Sequence, residues 1–150
     1  MALRTLLVLL AALARGFAQP APPVTLSVHL LVACSSQGAG QPAVYPGVEV
    51  SQCLGRTPFL TEKDVRSAEF HWNPKGRPVV FLTFRDDAAI RELEVTRQNA
   101  GHRVAIVVNG RLAAVPSIAT GSRFLYIDGG YTEKQVRALV AAFNRGAANR

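Results

Sequence analysis

The pattern of apolar and polar positions predicts β-strands along much of the chain. Apolar and polar side chains alternate in residues 24–34 and again in residues 44–53, as they do in a half-buried strand. Residues 78–84 (PVVFLTF) and 103–108 (RVAIVV) are apolar at almost every position, which is typical of strands covered on both faces. We therefore expect at least four strands, two of them inside a sheet.

Two further strands are predicted in the C-terminal half of the chain. Asn109 and Gly110 both tolerate a positive φ, so they predict a tight hairpin that leads into a strand over residues 112–115. Residues 123–127 (RFLYI) form the last predicted strand, which ends at the glycines after it.

Three segments show signals for helices. Thr61 and the acidic residues after it predict the start of a short helix, with Val65 and Ala68 facing inward. Thr132 and Gln135 form a capping box at the start of the last helix. Its core face has the spacing i, i+3, i+4, i+7 and consists of Val136, Leu139, Val140 and Phe143.

The remaining helix is predicted for residues 86–99. Asp86 and Asp87 stand at its start, where a carboxylate caps free backbone N–H groups; this favours a capping role over a metal or acid–base site. The helical period divides its side chains into a buried stripe of Ala89, Ile90, Leu93 and Thr96 and a water-facing set of Arg91, Glu92, Glu94 and Arg97.

This order of elements predicts a single α+β domain over residues 24–146. We expect an α/β two-layer sandwich, with a mixed, mainly antiparallel sheet of about five or six strands. Two or three helices should lie chiefly on one face of that sheet.

The first 18 residues have the features of a secretory signal peptide. Arg4 precedes a ten-residue apolar run, and Gly16 and Ala18 supply the small residues that signal peptidase requires. Ten residues rise about 15 Å as a helix, half of a bilayer core of about 30 Å, so the run does not predict a membrane anchor. Residues 19–23 (QPAPP) predict a stiff leader, and no later segment predicts a transmembrane span. We expect the mature chain in the periplasm or outside the cell.

The two cysteines predict a structural disulfide between Cys34 and Cys53, because their number is even in an exported chain. Their 18-residue spacer closes a loop worth about 3 kcal/mol in the chain-entropy model. The alternative is lipidation of Cys34, since Leu31-Val32-Ala33-Cys34 matches the pattern before a lipidated cysteine. His29 and the prolines upstream interrupt the apolar run that such a signal needs.

The chain is basic, with a formal net charge of +7. Such an excess suits an anionic partner such as nucleic acid or acidic lipid. The basic residues are scattered, however, with no run of three, so we expect no nucleic-acid partner.

Residues with catalytic or metal-binding chemistry do not form a recognisable motif. Ser122 follows a glycine but precedes a strand, whereas the nucleophile elbow of hydrolases follows one. Gly129 and Gly130 could present N–H groups to an anion but lack the lysine of a phosphate loop. The three histidines lack the ligand spacing of zinc: His29, His71 and His102. We predict no catalytic, cofactor or metal site.

Two aromatic residues are the candidates for contact with a partner. Trp72 lies in a His-Trp-Asn-Pro turn, and Tyr45 lies next to a proline. Exposed aromatic side chains anchor many protein interfaces, although a single Trp beside a turn more often packs on its own domain.

Residues 59–144 resemble the head subdomain of the large periplasmic domain of SecD/SecDF, accessory subunits of the bacterial Sec protein-export channel. The matching stretches are LTEKDVRSAEF, PVVFLTF, EVTRQNAGHRVAIVVNGRLAAVPSI and GGYTEKQVRALVAAFN. The positions that carry the family pattern are Thr96, Asn99, Gly101, Pro116, Ile118, Gly130 and Thr132.

The resemblance implies an exported, non-enzymatic module that binds a protein or peptide. SecD and SecDF also carry transmembrane helices that couple proton flow to protein movement, and this sequence predicts none. The alternative function is an anion- or nucleic-acid-binding protein or a hydrolase of the cell envelope.

If residues 1–18 are a signal peptide, the native protein begins at Gln19. Loss of Arg4 and Arg15 then lowers the formal charge from +7 to +5. N-terminal sequencing of protein isolated from its own cell envelope or medium checks this expectation. Recovery of the intact N-terminus from the cytosol would contradict it.

Overall fold

The computed structural model describes residues 22–118 and 124–150. In these residues the chain forms nine strands and two α-helices. The strands are β1 (Leu26–Ala33), β2 (Ala39–Pro42), β3 (Gln52–Gly55), β4 (Leu60–Thr61), β5 (Val65–Trp72), β6 (Pro78–Phe84), β7 (Val104–Val108), β8 (Arg111–Ala114) and β9 (Phe124–Ile127). The helices are α1 (Asp86–Gln98) and α2 (Glu133–Ala148). The predicted signal peptide and Ser122 lie outside the described residues.

The larger sheet has six strands, which are paired antiparallel. Its order is β2-β3-β1-β7-β8, and β4 also pairs with β1. Leu26 to Leu30 of β1 pair with Val108 to Val104 of β7, so these two strands form the middle of the sheet. The hairpin between β7 and β8 turns at Asn109 and Gly110, whose φ angles of 50° and 74° confirm the predicted positive-φ turn.

The smaller sheet has three antiparallel strands in the order β5-β6-β9. Helix α2 packs against β5 and β6, and α1 begins two residues after β6. The two sheets and two helices confirm the predicted α+β fold class, although the strands divide between two sheets rather than one.

The main core lies between the two sheets. Side chains of alternate positions of β7 face this core, together with the inner face of β6 and the buried side of α2. The other positions of β7, Ala105 and Val107, belong to a second apolar cluster on the opposite face of the large sheet. All five residues of β7 are therefore buried, as the apolar sequence predicts.

The second cluster is covered by an irregular segment where the sequence predicted a strand. Residues 44–51 form two turns, in which Val48 N–H donates to the Tyr45 carbonyl and Gln52 N–H donates to the Glu49 carbonyl. Ala43, Tyr45 and Val48 pack against the cluster, whereas Val50 is 96% exposed. The prediction of a strand over residues 44–53 is therefore wrong except at its end, where β3 begins.

A disulfide joins Cys34 to Cys53 and so fixes this covering segment to the large sheet. The S–S distance is 2.10 Å and the Cα atoms are 4.9 Å apart. Cys53 lies in β3 and pairs with Val32 of β1, while Cys34 N–H donates to the Ser51 carbonyl at 2.8 Å. The crosslink therefore closes the end of the β1–β3 ladder next to the covering segment.

The predicted short helix at Thr61 is a single 3-10 turn. Thr61 occupies the cap position and its N–H donates to the Asp64 carboxylate at 2.7 Å, but the turn ends at Asp64. Val65 and Ala68 are buried, as expected, but they are part of β5 rather than of a helix. A bulge between Val65 and Ser67 allows both side chains to face the core.

Helix α1 confirms the predicted segment but is rotated relative to the predicted stripe. Its buried side chains are Ala88, Ala89, Glu92 and Thr96, whereas Ile90 is 68% exposed. The expectation that Glu92 faces water is therefore wrong. Asp86 and Asp87 lie in the first turn but do not cap it, because Arg85 occupies the cap position without a side-chain bond.

Helix α2 begins with the predicted capping box of Thr132 and Gln135, and Val136 and Phe143 are fully buried beneath it. The helix continues to Ala148, past the expected domain end at residue 146. In the described part of the chain, neither helix is long and apolar enough to cross a bilayer.

Loss of the disulfide should increase the conformational freedom of the unfolded chain, which favours unfolding. It should also loosen the covering segment in the folded protein. Cys53→Ala should lower the free energy of unfolding by about 2–4 kcal/mol under oxidising conditions. Because Cys34 is exposed, Cys34→Ser is the matched variant that removes the crosslink with little loss of packing. Denaturant titration measures both, and an unchanged midpoint for both variants would contradict this role of the disulfide.

Candidate functional site

A cleft of about 320 Å³ lies between strand β9 and the segment after β8. Leu125 and Tyr126 line it on the side of β9, and Pro116 and Ser117 line it on the opposite side. Because these two walls belong to different parts of the fold, the cleft forms only when the chain has folded.

The floor of the cleft is the main core itself. Val28, Leu60, Val104 and Ile118 line it, and all four are buried members of that core. Apolar side chains at the bottom of a cleft favour ligands that bring apolar groups of their own.

Helix α1 contributes polar groups to the cleft through Glu92 and Thr96. The Thr96 hydroxyl donates to the Leu93 carbonyl of its own helix at 3.1 Å, so it is held by the backbone. Glu92 is buried and engaged with other groups of the chain.

An aromatic surface, formed by Phe81, Phe124, Tyr126 and His71, adjoins the cleft on the outer face of the small sheet. The ring of Phe81 lies 4.9 Å from that of Tyr126, 5.3 Å from that of Phe124 and 5.0 Å from that of His71. Tyr126 is 52% exposed, which is high for a side chain packed within a cluster of rings. Exposed contiguous aromatic surface of this kind marks interaction sites.

The sequence did not single out Phe124 and Tyr126. The alternation of Phe124 and Tyr126 with Leu125 and Ile127 was the available signal, because it places both aromatic rings on one face of β9. Which face is exposed depends on the sheet beside the strand, and the local sequence does not specify it.

The two aromatic residues chosen from the sequence lie elsewhere. Trp72 is 56% exposed at the end of β5, where its ring meets Phe70 edge-on at 5.2 Å. Tyr45 is half-buried against the second core cluster, and its hydroxyl donates to the Ala113 carbonyl at 3.3 Å. The structure therefore does not bring Trp72 and Tyr45 together, and their contact with a partner stays a prediction.

The other polar candidates have local roles. His29 Nδ1 lies 2.6 Å from the Gly55 carbonyl oxygen, and His71 Nε2 lies 3.3 Å from the Glu69 carboxylate. In residues 22–118 and 124–150, no three His, Cys, Asp or Glu side chains are grouped as a metal site would require. Gly130 has a φ of 68° and leads into the capped start of α2.

Tyr131, which directly precedes the cap of α2, has a shifted pKa. Burial raises its pKa above 10.0, and the nearby Arg111 opposes that shift. The side chain is therefore neutral at physiological pH.

Three of the residues on which the family resemblance depends line the cleft: Thr96, Pro116 and Ile118. Others shape the backbone, since Gly101, with a φ of 82°, comes after the end of α1 and Thr132 caps α2. The positions that carry the resemblance thus lie partly in the cleft and partly at helix ends elsewhere in the fold.

Comparison with known proteins agrees with this resemblance. The chain is 46% identical over 61 residues to the protein translocase subunit SecDF of Thermus thermophilus, which is 41% of this chain and 8% of that protein. It is 31% identical over 72 residues to the protein translocase subunit SecD of Acidaminococcus fermentans, which is 48% of this chain and 17% of that protein. The chain thus spans less than a fifth of either relative.

A solved structure of SecDF shares the fold, with a TM-score of 0.60 at 23% identity over 81% of this chain and 62% of that one. The family model of the SecDF P1 head subdomain matches residues 41–148, which include the aromatic surface, both helices and the lining of the cleft apart from Val28. The chain therefore belongs to the SecDF P1 head subdomain family.

Proposed function

We propose that this chain is an exported, non-enzymatic module that binds an extended segment of polypeptide in the cleft beside β9. The observation that carries the proposal is the position of an apolar cleft directly beside an exposed aromatic strand, in a member of a family of protein translocase subunits. The proposed place of action is the periplasmic side of the cell envelope.

The size of the cleft favours a segment rather than a folded protein. A volume of about 320 Å³ is at the lower end of the range for ligand pockets and accommodates a few side chains. Its floor of Val28, Leu60 and Ile118 suits apolar side chains, which an unfolded polypeptide exposes and a folded one buries.

The polar groups of the cleft support binding rather than catalysis. Thr96 is hydrogen-bonded within its helix, and Glu92 is engaged with other groups of the chain. The Thr96 hydroxyl thus donates to a backbone carbonyl, whereas a catalytic nucleophile would donate to a base.

The relatives support polypeptide as the class of ligand. The curated relatives are protein translocase subunits, and the solved SecDF is a membrane component that enhances protein export. These activities belong to proteins several times longer than this chain. We assign to this chain only the recognition of polypeptide, and not the transport itself.

Filling the cleft should abolish peptide binding without unfolding the protein. Ser117 lines the cleft and is exposed, so Ser117→Trp introduces a large ring into the cleft without replacing a core side chain. The affinity for a fluorescent, end-capped peptide of alternating valine and threonine, measured by anisotropy, should fall at least about tenfold.

Ser35→Trp is the matched control, because Ser35 is exposed beside the disulfide and does not line the cleft. Equal affinity of both variants and the parent would contradict the location of the site. Binding of DNA or anionic vesicles in place of the peptide, with a steep dependence on salt, would favour the alternative function.

A further inference from the structure

We propose that the polypeptide binds by strand addition, pairing its backbone with the outer edge of β9 at Tyr126 and extending the small sheet to four strands. This inference rests on the proposed function and specifies how the same cleft recognises its ligand. The hydrogen-bond alternation of the small sheet and the contrast between its two edges support it.

At Ala68 the edge formed by β5 is covered by a side chain. The Asn144 amide of α2 accepts a hydrogen bond from Ala68 N–H at 2.8 Å and donates one to the Ala68 carbonyl at 2.9 Å. The amide thus takes the place of a neighbouring strand and satisfies both outward backbone groups of Ala68. A cover of this kind opposes pairing with another chain at this point of β5.

These bonds fix the direction of the backbone groups in the regular part of the small sheet, from Ser67 of β5 onward. In an antiparallel pair, opposed residues alternate between those that bond each other and those whose N–H and C=O groups point away. Because the backbone groups of Ala68 bond to Asn144 on the outer side, the pair of Ala68 and Leu82 is a non-bonded pair. The backbone groups of Leu82 therefore point away from β5 and toward β9.

An independent bond gives the same alternation. Asn73 N–H donates to the Arg77 carbonyl at 2.9 Å, so Asn73 and Arg77 form a bonded pair at the end of the same ladder. Bonded and non-bonded pairs alternate along the ladder, and Phe70 and Val80 form the third pair after Asn73 and Arg77. The pair of Phe70 and Val80 is therefore non-bonded. Val80, like Leu82, thus bonds toward β9.

The alternation continues into β9. Leu125 and Ile127 lie opposite Leu82 and Val80, so these residues form the bonded pairs between β6 and β9. Tyr126 lies between them and opposite Phe81 in a non-bonded pair, so its N–H and C=O point away from β6. Non-bonded pairs have the closer side chains, which agrees with the 4.9 Å between the two rings.

The outward groups of Tyr126 lie on the side of β9 where the cleft is. The cleft is lined by the consecutive residues Leu125 and Tyr126, whose side chains point to opposite faces of the sheet. A cleft that touches both must lie alongside the edge of the strand. Pro116 and Ser117, on the far wall, therefore bound the space that an added strand would occupy.

The ligand that fits this site is an extended polypeptide with alternating side chains. Its backbone supplies the alternating donors and acceptors that the edge of β9 requires, which neither a nucleic acid nor a lipid offers at this repeat. Side chains on one face would enter the cleft above Leu60 and Ile118. Those on the other face would lie against Tyr126 and Phe81.

Methylation of single backbone nitrogens in the valine–threonine peptide tests the inference without any change to the protein. An N-methyl group removes one donor and obstructs pairing while the side chain stays the same. In peptides methylated at successive positions near the middle, affinity should fall at least about tenfold at alternate positions and stay near that of the parent between them.

Two protein variants complete the experiment. Tyr126→Pro removes the outward N–H, which is tolerated at a strand edge, and should weaken binding; Tyr126→Phe keeps the backbone donor and should bind the peptide. Circular dichroism reports whether each variant is folded. If Tyr126→Pro is not folded, the methylated peptides with the parent protein alone test strand addition.

The outcomes separate this inference from the proposed function. If the parent peptide binds and Ser117→Trp abolishes that binding, but all methylated peptides bind equally, strand addition is wrong and the proposed function stands. If the parent peptide does not bind, or if single-stranded nucleic acid or anionic vesicles bind at the cleft instead, both are overturned.

Discussion

The burial of β7 on both of its faces is the constraint on which the rest of this structure depends. A strand with apolar side chains at every position needs a cover on each side of its sheet. The small sheet and α2 supply one cover, and residues 43–48 supply the other. The second cover is irregular, so its attachment depends on packing by Tyr45 and on the disulfide that fixes β3 to β1.

The arrangement of the first cover creates the candidate site. The small sheet is only three strands wide, and its edge strand β9 lines a cleft together with the segment after β8, above buried side chains of the main core. On the opposite edge, Asn144 occupies the outward backbone groups of Ala68. One short sheet therefore has an edge that a side chain covers at Ala68 and an edge that borders an apolar cleft.

Much of this fold could be predicted from local sequence, because the signals involved act locally. The double-sided burial of β7, the turn at Asn109 and the capping box at Thr132 all depend on residues that are close in sequence. One error arose where a local helix-start signal led to a single turn and not to a helix. Thr61 does cap a turn, yet Val65 and the residues after it pair with β6 and so form a strand instead of a helix.

The covering segment and the candidate site were harder to predict, because both depend on which parts of the chain become neighbours. Val48 and Val50 alternate like strand residues, but the turn at Gly47, with a φ of 76°, carries the segment across the sheet instead. The sequence likewise placed Tyr126 in a strand without indicating that its backbone would face away from β6. That direction is set by the pairing of three strands and by Asn144, which lies 18 residues later in the sequence.

The most direct test of this account is hydrogen exchange at the amide of Tyr126, compared with the neighbouring amides of Leu125 and Ile127. In the free protein, Tyr126 should exchange much faster, because its two neighbours are bonded to β6. Saturating peptide should slow exchange at Tyr126 to the rate of its neighbours. Protection of Tyr126 in the free protein, or unchanged exchange when peptide is bound, would contradict the claim that β9 presents an open edge for polypeptide.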